Sequence, residues 1–328
     1  MKNFKLLNAD ILLENLQRYK SKKKCAMVKS NAYGHGIKEV VEIVKNEVDY
    51  FGVVNVEEAK SVRKLSEKPI IICSEVFDFK TCKKNGFDVM VDNEKSLLKA
   101  IKNKNNIHLK IDCGMNRFGV RSEIELKQID NILKEKNVKL EMIYSHFSQT
   151  ESKTKTQKQY QKFLSLKNKI SQPAMVCFGG SGMIDYPFEF DMIRVGIGMY
   201  GYAKDTRPVE QIFSYVSKIF YAKQGQYIGY GTKYRVEKDG FFAIVPVGYG
   251  DGLRRGLSGK FSVKIGEKKF KSVGNVCMDA FFIKIDESVK VGDLVTVMQD
   301  ANDLKGDSIV YEVLTGFSNF RGKTLIKR

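Results

Sequence analysis

From residue 26 to about residue 200 the chain repeats one unit, a short apolar or β-branched run followed by a longer amphipathic stretch. The runs are AMVK (26–29), YFGVV (50–54), PIIIC (69–73), FDVMV (87–91), IHLKID (107–112), LEMIYSHF (140–147), AMVCF (174–178) and FDMIRV (190–195). Helical patterns lie between most of them. IKEVVEIVKNEV repeats apolar residues at positions 37, 40, 41 and 44. VEEAKSVRKL follows Asn55, a residue that caps helix N-termini well. SEIELKQIDNILKEKN is expected to bury Ile124, Ile129, Ile132 and Leu133 on one side, and TKTQKQYQKFLSLKNKI reads as the longest of the linking helices. Strands separated by helices must run parallel, because a parallel neighbour needs a long crossover. Such a chain builds either an open doubly wound sheet or a closed (β/α)8 barrel. Eight strands is the barrel number, although roughly 175 residues is short for that fold.

After Pro208 the texture changes. YVSKIFYAKQGQYIGYGTKYRV, GFFAIVPVGYGDG, KFSVKIGEKKFKSV, AFFIKI and DLVTVMQ are strand-like with glycine turns, and helical periodicity returns only at 308–314. The expected organisation is a barrel over residues 9–205 and a mostly-β domain over 206–328, which residues 1–8 could join.

The formal charge of +18 raises the question of nucleic acid. The lysines are scattered over predicted helix faces, and the densest run, Lys22-Lys23-Lys24, comes without the aromatic residues of a base-stacking module. A solvated lysine-rich surface is expected, with no nucleic-acid partner. No apolar run reaches membrane-span length, and the first 20 residues lack the uninterrupted apolar core of a signal peptide. Six cysteines without CxxC spacing fit free thiols in a reducing compartment, so the expected location is cytoplasmic. The three histidines lack metal-ligand spacing, and no metal is expected.

Active sites of (β/α)8 barrels sit at the C-terminal ends of the strands. On that model Lys29 ends the first strand, Arg117 follows the fifth, His146 ends the sixth, Ser181 follows the seventh and Arg194 ends the eighth. The loops after the last two strands, the usual phosphate cradle, read Gly179-Gly180-Ser181-Gly182 and Gly196-Ile197-Gly198. A phosphate, an amine and several cations at one mouth suit a cofactor with a phosphate handle and an aldehyde, namely pyridoxal phosphate. Taken singly each group has a plainer reading. Lys29 reads as a surface lysine, Gly179-Gly180 as a turn, Arg194 as a partner for Asp191, and His146 as a core histidine. Only their joint placement argues for chemistry, and it depends on the strand count. Gly196 to Gly201 also spells GxGxxG, but a dinucleotide site needs a helix next and an acid about 20 residues on. GGSGM departs from the GxSxG of a serine hydrolase at Met183.

VKSNAYGHG resembles the lysine signature of the bacterial alanine racemases. KIDCGMNRFGV, SHF, RVGIGMYG, IGYGTKY, VPVGYGDG and GNVCMDAFF follow in that family's order, so the resemblance spans nearly the whole chain. It implies a barrel followed by a β domain, and interconversion of L- and D-alanine through a pyridoxal phosphate aldimine by two bases, supplying D-alanine for peptidoglycan. Carried over by position, it implies that Lys29 anchors the cofactor and handles the α-proton of D-alanine, while Tyr230 serves L-alanine. Arg194 would face the pyridine nitrogen, with His146 beside it. Tyr33, Ser181, Gly196 and Ile197 would hold the phosphate, and Arg117 and the Met278 backbone would meet the substrate. The family's head-to-tail homodimer implies shared active sites, with Tyr230 and Met278 acting on the partner's cofactor. Lys110 matches a lysine that some members carry carbamylated. Where many members place a tyrosine as a phosphate contact, this chain has Phe320. The alternatives are an amino-acid racemase of broader specificity or a decarboxylase of the same barrel type, and, outside enzymes, a cofactor carrier built on a lone barrel.

Overall fold

The computed structural model describes residues 2–183, 186–188 and 190–328. The chain divides into two compact units, one of residues 13–32 and 40–206, the other of residues 1–12, 33–39 and 207–328.

The first unit is built on eight parallel strands: β2 (Lys23–Met27), β3 (Tyr50–Val53), β4 (Ile70–Ile72), β5 (Phe87–Val91), β6 (Ile107–Lys110), β7 (Met142–Tyr144), β8 (Met175–Cys177) and β9 (Met192–Val195). β1 (Phe4–Asn8) precedes them in the other unit. The eight expected runs all form strands in the expected order. Neighbours pair in sequence from β2 to β8, and β9 pairs with β2. The seam between β8 and β9 carries Asp191 N donating to Val176 O at 3.0 Å and Arg194 N donating to Gly179 O at 3.3 Å. These bonds bring the ring close to closure, so the barrel prevails over the open sheet. Strands covered on both faces need apolar residues throughout, and every residue of β4, β5 and β6 is buried. The polar exceptions within them are Asp88, His108 and Lys110: Asp88 on β5 accepts from Asn106 Nδ2 at 2.9 Å and meets His108 Nε2 on β6 at 3.0 Å, while Lys110 at the end of β6 lies against aromatic rings.

Short polar residues start the outer helices by accepting the N–H three residues on. Asn55 takes that of Glu58, Asp78 that of Thr81, Asn93 that of Ser96, and Ser122 that of Glu125. One expected stripe is corrected. In the helix Glu123–Glu135 the buried face is Leu126, Ile129, Asp130 and Leu133, whereas Ile124 is 72% exposed and Ile132 only partly buried. Two residues before Leu126, Ile124 points about 200° round the helix, away from the barrel face. Asp130 is tolerated there because it accepts from Ser171 N at 2.9 Å and pairs with Lys134 at 2.7 Å. Between β8 and β9 the only helical piece among the described residues is the 3-10 turn Ser181–Met183. Aromatic packing fills that side: Phe178 stacks on Phe163 at 4.5 Å and meets Phe147 at 3.9 Å, while Tyr160 stacks on Phe188 at 4.0 Å.

The second unit adds β10 (Glu210–Tyr215), β11 (Lys218–Ala222), β12 (Tyr227–Ile228), β13 (Tyr234–Arg235), β14 (Gly240–Val245), β15 (Ser262–Ile265), β16 (Lys268–Val273), β17 (Phe281–Ile285), β18 (Leu294–Met298) and β19 (Lys323–Lys327). Nine strands form one sheet in the order β11-β14-β17-β16-β15-β18-β10-β1-β19, and β12 pairs with β13 alone. β1 lies antiparallel to β10 and parallel to β19. From β1 the buried Lys5 donates to Gly34 O at 2.6 Å and Phe317 O at 2.9 Å, which ties residues 33–39 into this unit. His35, conspicuous in the sequence, is buried here.

Phe178 sits at the centre of the aromatic cluster that packs beside β8 and β9. Phe178→Ala should cost about 3–5 kcal/mol, read as a lowered midpoint in denaturant unfolding. A midpoint within error of wild type would show that the cluster does not support this side of the barrel.

Candidate active site

The barrel unit brings Lys29, Arg117, His146, Ser181, Arg194, Gly196 and Ile197 to the C-terminal ends of its strands or the loops that follow; Tyr33, Tyr230 and Met278 belong to the β-rich unit.

Lys29 is half-buried just beyond β2. Among the described residues its amine has no hydrogen bond and no ion pair. Burial, with Arg117 and Arg194 nearby, holds its ammonium below the ordinary lysine value, against the opposite pull of Cys73 and Glu58. Its backbone setting was not legible in the sequence. In the polar stretch that follows, Ser30, Asn31 and Ala32 form a left-handed helical turn, with φ of 53°, 52° and 54°, and Tyr33 continues it at 55°. L-residues enter this region singly, at roughly 1–2 kcal/mol each, so four in a row persist only where surrounding bonds dictate them.

Arg194, on β9, is buried without a carboxylate. The expected pairing with Asp191 is absent: Asp191 instead accepts from Val176 N at 2.9 Å and pairs with Lys22 at 3.4 Å. The guanidinium donates to Ser145 O at 2.5 Å and Cys177 O at 3.4 Å, lies 3.1 Å from Cys177 Sγ and 3.5 Å from His146 Nδ1, and stands 4.8 Å from the centre of the Tyr144 ring. Its charge spreads to its neighbours. Burial and Arg194 push the Lys110 ammonium down to about 8. Burial and the cations Arg194, Lys110, Arg117 and Lys29 push the His146 imidazolium down to about 3, although the ring is exposed at the strand ends. His146 is therefore neutral at physiological pH, and it is no core histidine. Lys110 itself lies 5.3 Å from the Phe118 ring and 5.7 Å from the Tyr144 ring. Tyr144 is fully enclosed, and its hydroxyl has no partner among the described residues.

Ser181 is hydrogen-bonded to the loop after β9. Ser181 Oγ accepts from Gly196 N at 2.9 Å and Gly198 N at 3.0 Å. With both acceptor positions used, its hydroxyl can act outward only as a donor. The Ile197 N–H between them meets no acceptor among the described residues. Gly198, part of the GxGxxG spelling, is glycine for a local reason: an added Cβ would lie 1.8 Å from Tyr19 Oη. A turn, not a helix, follows it.

The loop that carries Arg117 hangs on Asp112, which sequence reasoning did not single out. The Asp112 carboxylate accepts from Gly114 N at 2.8 Å, Met115 N at 2.8 Å and Arg117 N at 3.1 Å, and from Arg121 Nε at 3.2 Å. Burial alone would raise its pKa; these donors hold it below the usual carboxylate value. In the β-rich unit Asp251 plays a similar part. It accepts from Gly248 N at 2.9 Å and takes a two-pronged pair from Arg321 at 2.7 and 2.8 Å; Arg321 also reaches Asp279 at 2.6 Å. One arginine thus ties together the segments around Tyr249, Met278 and the C-terminus. Tyr230 and Met278 are 71% and 54% exposed, and Asn275 Nδ2 donates to Tyr230 O at 2.8 Å.

The model of the alanine racemase N-terminal domain matches residues 7–204, and that of the C-terminal domain matches residues 209–323. The chain belongs to the alanine racemase family. An alanine racemase of Borreliella burgdorferi (strain ZS7) is 33% identical over 328 residues, covering 90% of this chain and 88% of the relative. One of Fusobacterium nucleatum is 33% identical over 316 residues, covering 88% and 89%. Among solved structures, the alanine racemase from Bacillus anthracis with bound L-Ala-P aligns with a TM-score of 0.93 at 26% identity, covering 100% of this chain and 95% of that one. The alanine racemase from E. faecalis aligns at 0.92 and 27% identity, covering 99% and 98%. Against the pattern read for alanine racemases, Phe320 stands as expected without a hydroxyl. Its ring lies 6.3 Å from Phe317 and 5.7 Å from Lys5 Nζ.

Asp112→Asn should loosen the Arg117 loop and cost about 1–3 kcal/mol, because part-buried N–H donors lose a charged acceptor. With a lowered folded pKa, the wild-type contribution is complete above the unfolded value near 3.9 and fades as pH falls through the folded one. The stability gap between wild type and variant, measured by thermal melts, should therefore shrink below about pH 4. A gap that widens with acid would exclude this role.

Proposed function

We propose that the chain interconverts L- and D-alanine, and that its D-alanine serves peptidoglycan synthesis. The observation that carries this reading is the half-buried, unpaired Lys29 amine at the barrel mouth, shifted toward its neutral form among cations, in a chain of this family. A neutral amine is what both an aldehyde and an α-proton require.

The residues present fit pyridoxal phosphate. The Ser181 hydroxyl and the unpartnered Ile197 N–H offer donors to phosphate oxygens, joined in our reading by Tyr33 and Gly196. The cation-rich mouth suits a dianion. When bound, the cofactor supplies an aldehyde for an amine and a ring that withdraws electrons from the α-carbon. Lys29 would hold it and move the proton on the D-alanine face, and Tyr230 would move the proton on the L-alanine face. Arg194 would face the ring nitrogen; a guanidinium has no proton to spare, so it would leave that nitrogen unprotonated. His146, neutral beside Arg194, would be a hydrogen-bond partner rather than a further positive charge. Arg117 and the Met278 backbone would orient the substrate carboxylate.

We further propose a head-to-tail homodimer in the cytoplasm. The exposure of Tyr230 and Met278 supports it: side chains of this size left open on one chain are accounted for if each serves the partner's barrel. The six free cysteines suit a reducing compartment. We place the boundary of the catalytic barrel at residue 205, with residues 206–328 and 1–8 forming the domain that presents Tyr230.

Purified, cofactor-loaded protein given L-alanine should produce D-alanine on chiral chromatography; none would overturn the reading. Lys29→Ala should abolish turnover and Tyr230→Phe should cripple it while cofactor stays bound. Mixing the two inactive variants under conditions that exchange subunits should restore about a quarter of wild-type activity, since half of the dimers would be mixed and carry one intact site of two. No recovery, despite exchange shown by mass tags, would place Lys29 and Tyr230 of each site on one chain.

A further inference from the structure

The Lys29 amine is aimed by a backbone that its own sequence does not favour. None of the four residues that follow Lys29 is glycine, and all four are left-handed. Local preference cannot maintain that run, so something outside it must.

The first N–H beyond Lys29 shows what does so. Ser30 N donates to Glu58 Oε1 at 2.6 Å, while Val54 N donates to the other oxygen, Oε2, at 3.0 Å. Ser30 follows β2 and Val54 follows β3, so one carboxylate clasps the C-terminal ends of two neighbouring barrel strands. Glu58 is itself fixed, because its N–H is held by the helix-capping Asn55 side chain at 2.8 Å. The strand ends meet directly as well, Val28 N donating to Gly52 O at 2.9 Å, and the turn closes with Ala32 N donating to Val28 O at 2.9 Å. A carboxylate is the side chain for this post: two converging N–H donors need two acceptors, and an amide would turn its NH2 toward one of them.

We propose that Glu58 is the positioning residue of Lys29, locking the left-handed turn so that the amine is delivered to the barrel mouth in one orientation. Glu58 bonds backbone only and reaches Lys29 through the Ser30 N–H. The proposal rests on the reading of Lys29 as the cofactor-holding amine.

Two routes of action are separable. If Glu58 acts by geometry, relieving the turn should replace it; if it acts by its charge on the amine, nothing in the backbone can. Ser30→Gly supplies the relief, since glycine takes positive φ without penalty and the exposed Ser30 side chain packs against little. The experiment compares wild type, Glu58→Gln, Glu58→Ala, Ser30→Gly and the Glu58→Ala/Ser30→Gly double variant. One arm titrates cofactor-free protein with pyridoxal phosphate by absorbance, then fixes the adduct with borohydride for mapping. The other follows deuterium uptake of the 28–36 peptide without cofactor.

Glu58→Gln and Glu58→Ala should weaken cofactor binding about tenfold, the worth of a charge-assisted hydrogen bond, and speed deuterium uptake in that peptide. Ser30→Gly should recover most of the binding in the Glu58→Ala background and change little alone. Unchanged uptake and binding in both Glu58 variants would overturn the proposal. Weakened binding that Ser30→Gly does not recover, with the pH midpoint of adduct formation shifted down, would assign Glu58 an electrostatic role and overturn it too. A wild-type adduct mapped to another residue would sink the Lys29 reading instead, and the uptake arm would still decide whether Glu58 holds the turn.

Discussion

A buried guanidinium without a counter-carboxylate governs this barrel. Arg194 is held by two carbonyls, a thiol and the face of a tyrosine. A nearby Asp or Glu would have neutralised it and quieted the mouth. Left positive in a poorly solvated place, it adds to the effect of burial on its basic neighbours: burial first, then the surrounding cations, Arg194 among them, lower the proton affinity of Lys29, Lys110 and His146. The mouth therefore combines cations that cannot all be charged with donors that lack acceptors, an arrangement relieved by an anion.

The rest of the structure reads as support for those few side chains. Carboxylates are present near the strand ends, but they face backbone. Asp112 organises the Arg117 loop and Glu58 the Lys29 turn, and Asp251 does the same for the segments around Tyr249 and Met278. Each satisfies several N–H groups at once. The division keeps negative charge in the loops and positive charge in the cavity.

The sequence made the eight strands legible because a parallel barrel demands short apolar runs, and here amphipathic helical stretches separate most of them. It also placed Lys29, Arg117, His146, Ser181 and Arg194 at one end of the ring, since strand ends fix where side chains emerge. Less was legible where tertiary bonds overrule local preference. The left-handed turn begins on Ser30 to Tyr33, before the glycines, because Glu58 and the strand ends impose it from outside. Ile124 is exposed because the helix turns its first residues away from the barrel. Asp112, Asp251 and Glu58 passed unnoticed because a carboxylate that caps backbone looks, in a list of residues, like any solvated acid. The roles proposed for Tyr230 and Met278 come only through family resemblance; nothing in their spacing marks them out.

The left-handed turn carries a consequence for how reactivity arises during biosynthesis. An unfolded or half-folded chain has at position 29 an ordinary solvated lysine, with the proton affinity of the many others in this basic protein. Only after β3, the Asn55-capped helix and the strand bearing Arg194 have docked does that amine acquire its direction and its lowered proton affinity. The setting of this amine is thus a property of the finished ring rather than of the residue, and a chain still folding presents at position 29 nothing that its other lysines lack.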